Sequence, residues 1–260
     1  MYLSQLLVNP GSDPDRPRLG AEWLKQTYRV HQRIWMAFPS GASLQADPFF
    51  LGRWPGPPLP RAPRGEAGFL FRIEPEAPLR ILVQSSLRPN WDYAFQNARQ
   101  LLADQPQVRL FNPVLEPGCA YRFRLIMQMV SRRTIPPPPP GATPSKRRTE
   151  HPIRCLIPSS VPGVPPQPDL GYNAWRARLS AIAPKAGFEV DTGTADLSVR
   201  PADHLFMKPE AGLPARRFNA ALFDGTLRCT DPGLLCRSVM NGVGRGKAFG
   251  MGLLSLATVG

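Results

Sequence analysis

The pattern of apolar and polar positions in the first half of the chain predicts four strands and two helices. Apolar residues three and four apart predict a strong helix over 21–38, with one apolar face formed by Leu24, Tyr28, His31, Trp35 and Phe38. A weaker helix is predicted over 90–103. Short apolar runs predict strands at 2–8, 68–74, 79–85 and 108–115. The order β-α-β-β-α-β is that of a ferredoxin-like unit.

The second half of the chain repeats this pattern around a long insertion. Short apolar runs predict strands at 121–130, 154–157, 188–190, 217–227 and 251–257, with helices at 170–183 and 231–240. A chain of 260 residues is long enough for two ordinary domains. We therefore predict an α+β protein of two tandem ferredoxin-like (βαββαβ) domains, over residues 1–116 and 117–260.

The charge balance favours a polyanionic partner. The chain has 32 Lys and Arg residues against 19 Asp and Glu residues, a net charge of +13 at pH 7. A basic chain attracts nucleic acid through its phosphates, and arginine suits bidentate contact with them. A genome rich in G and C would also favour arginine and proline codons, and the 33 prolines are consistent with that alternative.

Several classes of protein are not supported by the sequence. No long apolar segment predicts a membrane span, and residues 1–8 have the pattern of a first strand rather than of a signal peptide, so we expect a cytoplasmic protein. The acidic residues are scattered, and the cysteines lack zinc-ligand spacing, so we expect no metal and no cofactor. The cysteines are Cys119, Cys155, Cys229 and Cys236.

A glycine-rich segment over 242–252 is a candidate for binding a phosphate backbone. Glycines let backbone N–H groups approach a ligand closely, and two cations lie among them. The segment lacks the spacing of a P-loop and of the dinucleotide-binding fingerprint, and it follows a predicted helix. The alternative is a turn that only ends this helix. The candidate RNA-binding residues are Gly242, Gly244, Arg245, Gly246 and Lys247.

A low-complexity insertion over 132–154 interrupts the second predicted domain. Its proline run at 136–140 favours extended polyproline II structure. If the flanking segments pair as a hairpin, the basic residues at the two ends converge, and we predict that they contact RNA. These residues are Arg132, Arg133, Lys146, Arg147, Arg148 and Arg154. The alternative is a solvated loop, which is our expectation for the proline tip.

His31 is the most informative of the three histidines. Tyr28 lies three residues before it, on the same face of the predicted helix. A histidine has an ordinary pKa of about 6.5, so it can act as a base or as an acid at neutral pH. The alternative is a core histidine with satisfied hydrogen bonds. His151 falls in the basic insertion and His204 follows a polar segment, so both are expected at the surface.

Three parts of the chain carry a family resemblance. They are the start Met1-Tyr-Leu-Ser, the helix motif Tyr28-Arg-Val-His31-Gln-Arg-Ile-Trp35 with Phe38-Pro39, and the end over 242–257. Together they resemble the CasE-type CRISPR-associated endoribonucleases, the guide-RNA-processing subunits of the type I-E Cascade complex. The resemblance covers most of the chain and implies tandem ferredoxin-like domains. The loop before the first helix, the segment 51–65 and the proline insertion depart from the family.

The resemblance implies a function and a role for each candidate residue. His31 would be the catalytic histidine, with Tyr28 assisting proton transfer or positioning the phosphate. The implied reaction is metal-independent cleavage at the base of a CRISPR repeat hairpin, giving a 5′-hydroxyl and a 2′,3′-cyclic phosphate. The guide RNA and other Cascade subunits would be the partners. A non-catalytic RNA-binding scaffold subunit and a DNA-binding protein are the competing classes.

Overall fold

The structure is a computed structural model that describes most of the chain. The described residues are 1–11, 19–38, 68–134, 148–152, 172–193, 196–202, 206–207 and 216–259. Two larger antiparallel sheets and two short antiparallel ribbons lie within these ranges. None of the helices in the described ranges has both the length and the apolar character needed to cross a membrane.

The first sheet is formed by four strands from the first half of the chain. The strands are β1 (Tyr2–Leu7), β2 (Phe69–Glu74), β3 (Arg80–Ser85) and β4 (Gln107–Leu110), and the helices are α1 (Leu19–Leu24), α2 (Thr27–Trp35) and α3 (Trp91–Phe95). The strand order is β2-β3-β1-β4, with every neighbouring pair antiparallel. This places the first and third strands in the centre, as in a ferredoxin-like unit. Its core includes Val30 and Ile34 of α2, packed with Phe71 and Ile81.

The second sheet has the same arrangement. Its strands are β5 (Ala120–Gln128), β8 (Phe188–Glu189), β9 (Ser198–Pro201), β12 (Ala220–Cys229) and β13 (Ser255–Thr258), and its helices are α4 (Asn173–Ile182) and α5 (Pro232–Asn241). The order is β13-β5-β12-β8, and β9 also pairs with β12. The ribbons are β6 (Val130–Thr134) with β7 (Arg148–Pro152), and β10 (Phe206–Met207) with β11 (Arg216–Arg217). The prediction of two tandem ferredoxin-like units is confirmed.

Separate cores lie on the two sheets. The larger one packs Trp175 and Leu179 of α4 and Leu235 of α5 against the second sheet. The first sheet ends at Leu110 and the second begins at Ala120. These positions are compatible with the boundary predicted near residue 116.

Several predicted element bounds were wrong in detail. The helix predicted over 21–38 is divided into α1 and α2, because Gln26 has non-helical dihedral angles and its N–H bonds only three residues back, to the carbonyl of Trp23 at 3.0 Å. The helix predicted over 90–103 is the short α3, capped by the Asn90 side chain, followed by a 3₁₀ turn at Arg99–Leu101. The strand predicted over 154–157 lies outside the described residues.

Candidate functional site

Helix α2 places His31 at the boundary between the core and the solvent. Successive residues of an α-helix are turned by about 100°, so His31 projects between the core face and the exposed face. Tyr28 is 53% exposed and Trp35 is 43% exposed, whereas His31 is half-buried. The face predicted from the apolar spacing is therefore not the core face at Tyr28 and Trp35. The core face is formed instead by Thr27, Val30 and Ile34.

Four aromatic rings surround the imidazole of His31. The ring-centre distances are 6.0 Å to Tyr28, 5.7 Å to Trp35, 5.2 Å to Phe69 and 6.1 Å to Phe71. The Tyr28 ring is stacked on the imidazole, and the Trp35 ring meets it edge to face. Because Phe69 and Phe71 lie on β2, the first sheet forms one wall of this imidazole pocket.

The imidazole pocket favours the neutral form of His31. Burial lowers the pKa of His31 below its ordinary value, because an apolar surrounding disfavours the charged form. The Nδ1 atom is buried and has no hydrogen-bond partner in the part of the chain that the structure describes. A buried polar atom without a partner needs an explanation, and a catalytic role is one of several that apply. A neutral imidazole near pH 7 can accept a proton from a bound hydroxyl.

The glycine-rich segment of the second unit reaches the same site. The Asp231 side chain caps α5 by accepting a bond from the N–H of Leu234 at 2.8 Å, which confirms the predicted helix start. After α5 the segment forms a 3₁₀ turn, Lys247–Phe249, which contacts α2 and β2. The Phe249 ring centre lies 6.0 Å from that of Tyr28. The two segments that carried the sequence motifs therefore meet.

Two of the glycines in this segment are required by packing at the junction of the two units. Gly242 has a φ of +75°, and an added Cβ would lie 2.9 Å from both Leu70 and the carbonyl oxygen of Gly252. At Gly250, with a φ of +79°, a Cβ would lie 3.2 Å from the ring of Phe71. These two glycines thus have a structural role, whatever the segment binds.

The two cations of the segment differ in their surroundings. The ammonium of Lys247 donates to the carbonyl oxygen of Asn241, near the end of α5, and burial lowers the pKa of Lys247. An ammonium has three donors, so this bond leaves capacity for a phosphate. Arg245 is half-buried between Gly244, which is exposed, and Gly246, which is half-buried. The role of this segment in RNA binding stays a prediction.

Strands β6 and β7 form a hairpin at the base of the insertion. The register pairs Arg132 and Arg133 with residues 150 and 149, and Arg148 with Thr134. The predicted convergence of the two ends is therefore confirmed for these arginines. That they contact RNA stays a prediction. Three further candidates lie outside the described residues: Lys146, Arg147 and Arg154.

A buried ion network, which we did not predict, joins the two units beside this site. Arg72 and Glu74 of β2 pair at 2.8 Å, with 3% and 5% of their side chains exposed. Arg124 of β5 donates to Glu74 at 2.7 Å and to Asp224 of β12 at 2.6 Å. Arg72 also donates to the carbonyl of Leu253, directly after the glycine-rich segment, at 3.3 Å. The network thus ties β2, which lines the imidazole pocket, to the second unit.

The fold and the site define a basic protein of two ferredoxin-like units with a half-buried histidine near their junction. Within the described ranges, no three His, Cys, Asp or Glu side chains are close enough to hold a metal ion. A family model described as CRISPR associated protein matches residues 1–258. The chain belongs to this family, and its resemblance to CasE-type proteins is confirmed.

Solved structures and a curated relative extend this comparison. The CRISPR-associated endoribonuclease Cse3 of Thermus thermophilus is 28% identical over 267 residues, which cover 99% of this chain and 100% of that protein. One structure of CRISPR endoribonuclease Cse3 bound to a 19-nucleotide RNA matches with a TM-score of 0.63 and 24% identity, over 99% of this chain and 100% of the other. A second such complex matches with a TM-score of 0.59 and 25% identity, over 98% and 97% of the two chains.

Proposed function

We propose that this chain is a metal-independent endoribonuclease that cleaves CRISPR precursor RNA at the base of the repeat hairpin. It acts in the cytoplasm, leaves a 5′-hydroxyl and a 2′,3′-cyclic phosphate, and stays bound to the guide RNA together with other Cascade subunits. The observation that carries the proposal is the half-buried imidazole of His31 stacked on the exposed ring of Tyr28, on the helix that the glycine-rich segment contacts. Similarity to an endoribonuclease over nearly the whole chain supports it.

The chemistry needs a base for the attacking hydroxyl and an acid for the leaving oxygen. The 2′-oxygen forms a bond to phosphorus, the bond from phosphorus to the 5′-oxygen breaks, and one proton is removed while another is supplied. His31 is the base, because its lowered pKa keeps it neutral at pH 7. The hydroxyl of Tyr28, whose ring stacks on His31, is a proton donor for the leaving oxygen or a ligand of the phosphate.

The rest of the site binds the RNA and stabilises the charge of the transition state. Arg245 and Lys247 supply cations in the segment that contacts α2. The glycine-rich segment and the basic hairpin follow the phosphates of the stem, since proteins read double-stranded RNA mainly through its backbone and shape. A related Cse3 of 25% identity bound to a 19-nucleotide RNA supports RNA as the ligand.

The first test removes the imidazole. His31→Ala should reduce the single-turnover cleavage rate of a CRISPR repeat hairpin by about 10²-fold or more, which is the usual contribution of a general base, while binding changes little. The matched control is Gln32→Ala, an exposed neighbour on the same helix, which should cleave at the normal rate. Normal cleavage by His31→Ala would remove His31 from the mechanism. Binding without cleavage by the unaltered protein would indicate a scaffold subunit.

Further tests concern the metal, the nucleophile and the choice between RNA and DNA. EDTA should leave the rate unchanged, and strong inhibition would indicate a metal-dependent nuclease. A 2′-deoxy substitution at the cleaved nucleotide should abolish cleavage, because the nucleophile is missing. Competition with duplex DNA should not displace the hairpin; equal competition would favour the DNA-binding class.

A further inference from the structure

Trp35 exposes a large apolar ring beside the candidate catalytic histidine. The centre of its ring lies 5.7 Å from that of His31 and 6.0 Å from that of Phe69, with interplanar angles of 67° and 77°. Both contacts are edge to face, and no described residue has a ring stacked parallel to the indole. An indole that is 43% exposed keeps part of its apolar surface available to a ligand. A stacked ligand would explain this position.

The order of the rings gives the site a direction. Phe249 of the glycine-rich segment contacts Tyr28 at the start of α2. His31 follows one turn later, and Trp35 lies about 10 Å from Tyr28 along the helix axis. Trp35 packs on Phe69 of β2. An RNA whose stem lies on the glycine-rich segment, and whose cleaved phosphate lies at His31, therefore continues towards Trp35.

We infer that Trp35 is a stacking subsite for the first unpaired base on the 3′ side of the repeat stem. The inference rests on the proposed function. Bases within the stem are paired and stacked on each other, whereas the nucleotide just beyond the stem offers a free face. Proteins bind such unpaired bases by stacking them on aromatic side chains, and the contact tolerates any base because each has a π-face. The subsite thus holds the strand in line at the cleaved phosphate without reading its sequence.

The test measures binding with RNA that cannot be cleaved. Each RNA is a CRISPR repeat hairpin of the host genome with a 2′-deoxy nucleotide at the last paired position of the 3′ strand. One carries an intact first unpaired nucleotide, one is abasic there, and one ends at the stem. Trp35→Leu keeps an apolar contact with Phe69, Trp35→Phe keeps a smaller ring, and Gln32→Ala is the control.

The expected result is a base-dependent loss of affinity. Trp35→Leu should weaken binding of the intact RNA by roughly 5- to 150-fold, the range of one stacked base, and leave binding of the abasic and truncated RNAs unchanged. Trp35→Phe should lose less, and Gln32→Ala should bind all three RNAs as the unaltered protein does. Circular dichroism and thermal denaturation check that each variant is folded.

Other outcomes would overturn the inference. Equal weakening of intact and abasic RNA would mean that Trp35 only supports the pocket or contacts another protein, and unchanged affinity for the intact RNA would exclude stacking. A failure of the proposed function is detected by a separate measurement. In that case the unaltered protein would not cleave the same hairpin when it carries the 2′-hydroxyl. The base dependence of binding is measured on the uncleavable RNA in either case.

Discussion

The buried pair Arg72–Glu74 allows a quantitative prediction about the junction of the two units. We consider Arg72→Met, which keeps most of the side-chain length and removes the charge. The carboxylate of Glu74 would remain 5% exposed with Arg124 as its remaining cationic partner. The carbonyl oxygens of Arg124 and Leu253 would lose the guanidinium of Arg72 as a donor, which now lies 3.2 Å from the first and 3.3 Å from the second. The substitution therefore leaves buried polar atoms less well paired.

The expected loss follows from the degree of burial. Removing one partner of a buried ion pair costs about 3–5 kcal/mol, because the other charge stays in the interior. Since Arg124 still compensates Glu74, we expect the lower end of this range, about 3 kcal/mol. The unfolding entropy of a chain of 260 residues is about 0.5 kcal/mol per kelvin, so Tm should fall by about 5 °C.

Urea and thermal denaturation of the unaltered protein and of Arg72→Met measure this loss. The control is Arg122→Met, on the same strand as Arg124, which breaks an exposed pair with Asp196 and should change Tm far less. The effect also depends on pH. Burial raises the pKa of Glu74, but Arg72 and Arg124 outweigh it and hold that pKa below its ordinary value. The stability contributed by Glu74 is therefore present above about pH 4.3 and lost on acidification below it.

Two results would refute this reasoning. The first is a loss for Arg72→Met no larger than that for Arg122→Met, which would mean that the buried network contributes little. The second concerns Arg72→Met combined with Glu74→Met. This double variant should be more stable than Arg72→Met alone, because it also removes a buried carboxylate that Arg124 compensates only in part. If the double variant is less stable, the cost does not arise from an unpaired charge.

Three further predictions follow from the geometry of the site and the charge of the insertion. Gly242→Ala should lower Tm more than Gly118→Ala. Both glycines have a positive φ, 75° and 79°, but only at Gly242 would the new Cβ lie within 4 Å of other atoms. Equal losses of Tm in thermal denaturation would contradict the close packing at Gly242. As the pH is lowered, kcat/KM for hairpin cleavage should begin to fall only below about pH 6.5, because the lowered pKa of His31 favours the neutral base above that pH. A fall that begins at a higher pH would contradict the role of His31 as the base. Replacing the basic run 146–148 by serine should weaken RNA binding and flatten its salt dependence in a titration, whereas an unchanged slope would indicate a solvated loop.

The fold could be predicted from the sequence because its strands and helices have distinct periods. The alternation of apolar and polar residues in 121–130 correctly predicted a strand, and the three-four spacing of apolar residues in 21–38 correctly predicted helix. The apolar face predicted for this helix differs from its core face, because Tyr28 and Trp35 were counted with the apolar residues and both are exposed. An aromatic ring can lie half-exposed at a binding site, and spacing alone does not distinguish that from burial.

The ion network could not be predicted in full because its partners are distant along the chain. Arg72 and Glu74 are two residues apart in a predicted strand, which places both on one face of the sheet. Two charges in an otherwise apolar strand were a usable signal that this face needs polar partners. The identity of those partners, Arg124 and Asp224, depends on how the two units dock, and no local pattern encodes that.

The site depends on both units, although its histidine lies in one. Tyr28 lies between His31 and Phe249, at 6.0 Å from each, so the second unit reaches the imidazole through this ring. Another wall is β2, whose Arg72 donates to the carbonyl of Leu253 after the glycine-rich segment. The four rings around the imidazole all lie on α2 and β2, so a shift of one unit against the other would first change the contact between Tyr28 and Phe249. Since burial is what lowers the pKa of His31, its neutral form is favoured mainly by the packing of α2 on β2, and the second unit acts on the imidazole through the ring of Tyr28.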